Sequence, residues 1–128
     1  MTAFPESHRD LLQAPVAVLA TQGADGYPHV SALWFVLDGD SVKLSLNTTR
    51  QKTKNLQQHP ECTLFILDPA NPYRTMEIRA RAEVVPDTNA SAIALVEEKY
   101  GVDVRQNDRP GEGRVVVTLH PVKINTWG

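Results

Sequence analysis

Three cations at alternate positions, Arg50, Lys52 and Lys54, are the clearest chemical signal in this sequence. They follow a strand-like run and lie in a polar stretch, residues 49–57, that lacks glycine and proline and is typical of a short helix. The free N–H groups and the dipole at a helix start attract anions. Because no acidic residue occurs between positions 44 and 59, the segment predicts a phosphate site. A solvated basic helix face is the alternative.

Each side chain of the segment Thr48–Lys54 has its own role in the predicted site. Arg50 can hold a phosphate through two parallel hydrogen bonds, whereas Lys52 and Lys54 act as point charges. Thr48 and Thr49 add hydroxyl donors immediately before the helix.

The other reactive residue types form no catalytic or metal-binding pattern. The four histidines are scattered and Cys62 is the only cysteine, which excludes zinc spacing and an intramolecular disulfide. Cys62 lies in an apolar run and is predicted to be a core residue. Tyr73 is either a structural loop residue or a proton donor to a substrate. Trp34 is either core or a ring-stacking residue.

The composition is that of a single globular domain over residues 1–128. With 41% hydrophobic and 22% charged residues, long disorder is excluded. The formal net charge of -2 gives no global signal for nucleic acid or anionic membranes. The lone cysteine favours a reducing compartment, the cytoplasm. No signal peptide and no apolar run near the ~20 residues of a membrane span is visible.

The predicted elements favour an antiparallel barrel or sandwich. Short helices are predicted at Pro5–Gln13, 49–57 and Asn89–Tyr100. Hairpin spacing without repeated strand–helix–strand units argues against a doubly wound parallel sheet. The six predicted strands are Val16–Ala20, His29–Leu37, Val42–Leu46, Cys62–Asp68, Thr75–Val84 and Val115–Ile124.

Seven sequence pieces, in order along nearly the whole chain, carry a family resemblance. They are Ala17–Thr21, Gly26–Ser31, Leu33–Phe35, Thr48–Leu56, Asp68–Arg74, Glu77–Ala80 and Lys123–Trp127. Together they resemble the pyridoxamine 5'-phosphate oxidase-like split β-barrel superfamily, in particular its flavin/deazaflavin oxidoreductase branch. The resemblance implies a β-rich α+β fold, a six-stranded antiparallel split barrel with short flanking helices.

The same resemblance implies a homodimer with a cofactor in each groove between the subunits. Residues expected along the tricyclic ring are Ser31, Leu33 and Trp34. Residues expected around the phosphate are Thr48, Thr49, Arg50, Lys52 and Lys54. Residues expected in the pocket wall, some from the partner chain, are Pro72, Tyr73, Arg79 and Trp127. Two of these have structural alternatives, since Arg79 can pair across strands and Trp127 can anchor the tail.

The resemblance points to coenzyme F420 as the cofactor, because the Asn71–Arg74 element and the Arg50/Lys52 spacing are most similar to F420-using members. The expected activity is hydride transfer between the deazaflavin and a small conjugated organic substrate. An FMN-dependent oxidoreductase of the same fold is the first alternative. A non-catalytic carrier that binds a cofactor or haem is the second.

Overall fold

The computed structural model of the chain describes residues 3–128. Its helices are α1 (Gln51–Gln58) and α2 (Ser91–Tyr100), with two short 3-10 helices at Glu6–Gln13 and Val104–Asn107. The predicted N-terminal helix therefore forms as a 3-10 helix. The strands are β1 (Ala17–Gln22), β2 (Pro28–Leu33), β3 (Val36–Asp38), β4 (Ser41–Asn47), β5 (Glu61–Asp68), β6 (Asn71–Pro86) and β7 (Arg114–Trp127).

The seven strands form one antiparallel sheet with the order β2-β1-β5-β6-β7-β4-β3. Its two edge strands, β2 and β3, are consecutive in the sequence and are joined only by Trp34 and Phe35. Because a link of two residues spans roughly 10 Å at most, the two edges must lie close together and the sheet curls into a barrel. The predicted antiparallel split barrel is confirmed.

The core follows the alternation that the sequence predicts. On β6, Met76, Ile78 and Ala80 are buried while Arg79 and Arg81 between and beyond them are exposed. The same period of two residues buries alternate positions of β4. These side chains join others from β1, β5, β7 and the N-terminal 3-10 helix in one hydrophobic cluster. Burying one apolar face of each strand is the main stabilising contribution to such a barrel.

The strand count differs from the prediction, because His29–Leu37 is two strands rather than one. The break lies at Trp34 and Phe35. The Phe35 N–H donates to the Tyr100 hydroxyl oxygen at 3.1 Å, and the Phe35 carbonyl accepts from Lys99 Nζ at 2.9 Å. Side chains of α2 thus provide hydrogen-bond partners for the Phe35 N–H and carbonyl, which in a continuous strand would bind a neighbouring strand. The six predicted strands become seven for this reason.

Cys62 is buried in the core cluster, as predicted. Burial raises the pKa of its thiol to about 12. A thiol with so high a pKa carries almost no thiolate near neutral pH, so Cys62 acts as a small apolar side chain.

Candidate functional site

The start of α1 presents unused hydrogen-bond donors. Arg50 precedes the helix in an extended conformation, and neither a side-chain cap nor an acidic residue occupies its first turn. The N–H groups of Gln51, Lys52 and Thr53 come before the first intrahelical bond and have no backbone partner within residues 3–128. A helix start with open donors and no carboxylate favours an external anion.

Lys52 is the cation that the fold holds most firmly at this helix start. Its Nζ donates to Ser31 Oγ on β2 at 3.0 Å. Burial, and then the neighbouring Arg50 charge, lower the pKa of Lys52. The ammonium is therefore destabilised in the free protein, and an anion placed beside both cations would relieve that cost.

No carboxylate within residues 3–128 pairs directly with these cations, although Glu112 reaches the neighbouring Thr49. Within residues 3–128, neither Arg50, Lys52 nor Lys54 forms a salt bridge with a carboxylate. Lys54 is exposed on the outer side of α1, on the surface that includes Gln58 and His59. The structure therefore brings Arg50 and Lys52 to one place and leaves Lys54 outside it.

A cleft of about 280 Å³ extends from Arg50 and Lys52 to the Trp34 side chain. One face of the Trp34 indole stacks on Tyr100, with ring centroids 4.3 Å apart and planes 5° from parallel. The cleft combines a cationic end with walls that are partly apolar and partly polar, which suits a ligand that carries both an anionic group and a ring system. Its lining consists of Ala32, Leu33, Trp34, Ser45, Leu46, Asn47, Arg50, Lys52, Val96, Val102, Val104, Asn107 and Arg114.

The hydroxyls of Thr48 and Thr49 already have partners inside the protein. Thr48 Oγ1 accepts from the Gly113 N–H at 3.2 Å. Thr49 Oγ1 lies 2.7 Å from Asn47 Oδ1 and 2.9 Å from Glu112 Oε2, to which it donates. In this structure both threonines shape the turn before α1, and their direct contact with a phosphate stays a prediction.

None of the four predicted wall residues lines this cleft. Arg79 is exposed and donates to Glu77 at 3.2 Å on its own strand. The Trp127 carbonyl accepts from His8 Nε2 at 3.1 Å, which ties the end of β7 to the N-terminal 3-10 helix. Pro72 and Tyr73 lie at the start of β6, where Thr75 pairs with Trp127. Within one chain, these residues belong to a different surface.

That surface is one face of the sheet. Residues directly opposite each other on antiparallel strands share a face. The pairing therefore places a row of exposed or half-buried side chains across five strands, namely Val30, Ala20, Thr63, Arg79 and Lys123. Large apolar side chains lie exposed along or beside this face, with Val122 64%, Trp127 72% and Tyr73 78% exposed.

Sequence reasoning missed the acidic groups that surround the turn before α1. Glu112 and Asp108 come from the polar stretch 102–113, which reads only as a loop, and they reach Thr49 and Asn47 across more than 60 positions. No local pattern in the sequence signals these contacts. The spacing of charges along the sequence predicts a turn with no acidic residue nearby. In the structure, however, the carboxylate of Glu112 lies against Thr49.

The acids around the turn predict a loss of stability in acid. Hydrogen bonds from Arg114 lower the pKa of Asp108, and hydrogen bonds from the Arg109 N–H and from Thr49 lower that of Glu112. Arg105 lowers the pKa of Asp103 to about 2. Since each folded-state pKa lies below its unfolded value, the unfolded chain binds more protons as the pH falls. We expect the urea midpoint to fall between pH 6 and pH 3. An unchanged urea midpoint would contradict the lowered pKa values of these acids. Glu112→Gln should reduce the difference between the midpoints at pH 6 and pH 3.

The sequence profile described as pyridoxamine 5'-phosphate oxidase matches residues 4–128. The chain belongs to the pyridoxamine 5'-phosphate oxidase family. A solved structure named as an F420 reductase is 32% identical, with a TM-score of 0.81 over 95% of this chain and 98% of that chain.

Two more distant structures share the fold of this family member. A putative pyridoxamine 5'-phosphate oxidase from Listeria innocua is 22% identical, with a TM-score of 0.73 over 94% of both chains. HutZ, the heme storage protein from Vibrio cholerae, is 19% identical, with a TM-score of 0.75 over 99% of this chain and 96% of that chain.

No curated protein sequence matches the chain. No helix within residues 3–128 has the length and apolar character to cross a membrane.

Proposed function

We propose that this family member is a coenzyme F420-dependent oxidoreductase, a reductase that transfers a hydride between the deazaflavin and a small conjugated organic substrate. The observation that carries the proposal is the pair Arg50 and Lys52, without a carboxylate partner in residues 3–128. The pair lies beside the open start of α1 and at one end of a cleft whose walls are partly apolar. The 32% identical F420 reductase favours F420 over FMN.

The residues of the cleft fit the phosphate-bearing part of such a cofactor. Arg50 would hold the phosphate through two hydrogen bonds, and Lys52 would supply a charge already positioned by Ser31. The N–H groups at the start of α1 would complete the anion site. Relief of the repulsion between the two cations adds to the binding energy.

The apolar part of the cleft would position the ring system. Leu33 and Trp34 line it, and the Tyr100 stack fixes the Trp34 indole. When bound, a deazaflavin supplies two electrons as a hydride, and the protein's part is to orient the reacting groups and exclude water.

We further propose that two copies of the chain complete the site. A cleft of about 280 Å³ lies just below the roughly 300–1,000 Å³ of ordinary ligand pockets, so one chain encloses only part of a cofactor. The exposed sheet face holds Arg79, with Tyr73 and Trp127 near it, and exposed apolar side chains of this kind mark interaction surfaces. In a homodimer, Pro72, Tyr73, Arg79 and Trp127 would reach the groove from the partner. A reducing cytoplasm suits the single, buried cysteine.

A titration tests the cofactor. F420 and FMN are added separately to the purified protein, and quenching of the Trp34 and Trp127 fluorescence gives each affinity. We expect tighter binding of F420. A tenfold preference for FMN would support the FMN-dependent alternative instead. Absence of binding to both would contradict the redox function.

A carrier function is the second candidate, because the fold is shared with a heme storage protein. A parallel titration with haem, followed by its Soret absorbance, tests the carrier function. Tight haem binding together with no turnover of bound reduced F420 by any electron acceptor would favour the carrier.

A further inference from the structure

An ion pair with little exposure lies beside the turn that precedes α1, and its arginine, Arg114, also lines the cleft. Arg114 on β7 donates to both carboxylate oxygens of Asp108, at 2.9 Å from Nε and 2.7 Å from Nη2. Each side chain is only 14% exposed. Arg114 also donates to the carbonyls of Val104 at 2.7 Å and Ser45 at 3.3 Å. The bidentate geometry and these extra bonds fix the carboxylate in one orientation.

Asn47, at the end of β4, connects this ion pair to the helix start. Its Nδ2 donates to Asp108 Oδ1 at 3.0 Å, and its Oδ1 accepts the Thr49 N–H at 2.8 Å. Its backbone carbonyl accepts the Arg50 N–H at 3.2 Å and the Thr53 hydroxyl at 2.7 Å. One buried residue thus binds Thr49 and Arg50 in the turn and Thr53 in the first part of α1.

The direction of the Asn47 amide depends on Asp108. A carboxylate accepts only, so the amide nitrogen must face Asp108 and the amide oxygen must face the Thr49 N–H. A reversed amide would place oxygen against oxygen on one side and N–H against N–H on the other. Asp108 and the Thr49 N–H therefore select the same orientation of the Asn47 amide, and Asp108 holds the amide from the side opposite the turn.

We propose that the Arg114–Asp108 ion pair is a positioning element for the anion site, acting through Asn47 on Arg50 and the start of α1. The proposal rests on the proposed function, because it assumes that the anion is the cofactor's phosphate. Asp108 does not line the cleft, and the guanidinium of Arg114, which does, donates to Asp108, Val104 and Ser45. Both residues are therefore expected to act on the ligand through the turn rather than by direct contact. Their effect should therefore be confined to ligands that carry the phosphate.

The variant Asp108→Asn tests the proposal. Both Asp108 oxygens accept hydrogen bonds, so an amide at this position sets an N–H against Arg114 or Asn47 and weakens one of the two contacts that hold the Asn47 amide. Affinities are measured for FMN and riboflavin, and for F420 and its deazaflavin chromophore without the phosphate. We expect about tenfold weaker binding of the phosphorylated member of each pair that the wild type binds, and less than a twofold change for the other.

Asp103→Asn is the matched control. Asp103 lies in the same segment, pairs with Arg105 and caps the Val104–Asn107 helix, but its contacts do not reach Asn47. Asparagine also caps helices, so we expect no change in either affinity. If Asp108→Asn does not fold, Asn47→Ser replaces it, because serine can accept from Thr49 without reaching Asp108. We expect the same selective loss.

The outcomes separate this inference from the proposed function. If the wild type does not prefer the phosphorylated ligands, the proposed function fails and the positioning role fails with it. If the wild type prefers them but Asp108→Asn weakens both members of a pair equally, or neither, only the positioning role is overturned. A selective loss that is also non-additive with Arg50→Ala supports it.

Discussion

Replacing Arg50 and Lys52 together by alanine should weaken cofactor binding by about a hundredfold or more. Each charge-assisted hydrogen bond to the phosphate contributes about 1.5–3 kcal/mol, and the open helix start alone cannot replace both. The free protein should not lose stability, because the substitution removes two repelling cations of which Lys52 is partly desolvated. We therefore expect titration to show a loss of cofactor affinity, while urea denaturation shows no loss in the free energy of unfolding.

Lys54→Ala is the matched control for this change. It removes a cation from the same segment, but its exposed side chain lies outside the cleft, so an effect within about threefold is expected from screened long-range charge. If the double variant binds the cofactor as tightly as the wild type, Arg50 and Lys52 do not hold the phosphate.

Phe35→Ala should lower the free energy of unfolding by about 3–5 kcal/mol, the range for removing a fully buried aromatic side chain. Phe35 has no exposed surface. Its ring also lies 3.9 Å from the Lys99 ammonium, whose pKa is lowered by burial. Without the ring, Lys99 would lose a cation–π contact while remaining partly desolvated. The β2–β3 link is also the closure of the barrel, so the loss should be global.

Urea denaturation of Phe35→Ala and of Tyr27→Ala compares a buried with an exposed aromatic. Tyr27 is 75% exposed, so its removal should change stability by less than about 0.5 kcal/mol. Equal effects of the two changes would show that Phe35 is not the closing core residue. A smaller loss for Phe35→Leu than for Phe35→Ala is expected, because leucine fills more of the cavity.

The two predictions connect at Trp34. Phe35 holds the link in place from the core side, while the stacked ring of Tyr100 holds the adjacent indole at the cleft. The residue that closes the barrel therefore also supports the wall of the cleft. Loss of Phe35 should loosen the ring end of the site, whereas loss of Arg50 and Lys52 removes its phosphate end.

The sequence by itself determined the features that depend on neighbours along the chain. The alternation of apolar and charged residues along β6 correctly predicted which side chains are buried, because successive side chains of a strand point to opposite faces. Gly101 ends α2 in the left-handed conformation, as a glycine after a helical period indicates. The cations of the segment Thr48–Lys54 and the strand that precedes it identified the helix start in the same way.

The tertiary structure alone decided where the chain departs from these patterns. Residues 29–37 have uniform strand character, yet the strand breaks at Phe35, because hydroxyl and ammonium groups of α2, about 65 positions away, satisfy its backbone. The turn before α1 contains no acid, yet Glu112 and Asp108 meet it across the fold. Packing between distant segments determines which hydrogen-bond partners and counter-charges meet. The periodicity of apolar residues and the spacing of charges indicate only the local structure of each segment. The cation pair Arg50 and Lys52 at the helix start could therefore be predicted from the sequence, whereas the groups packed around it could not.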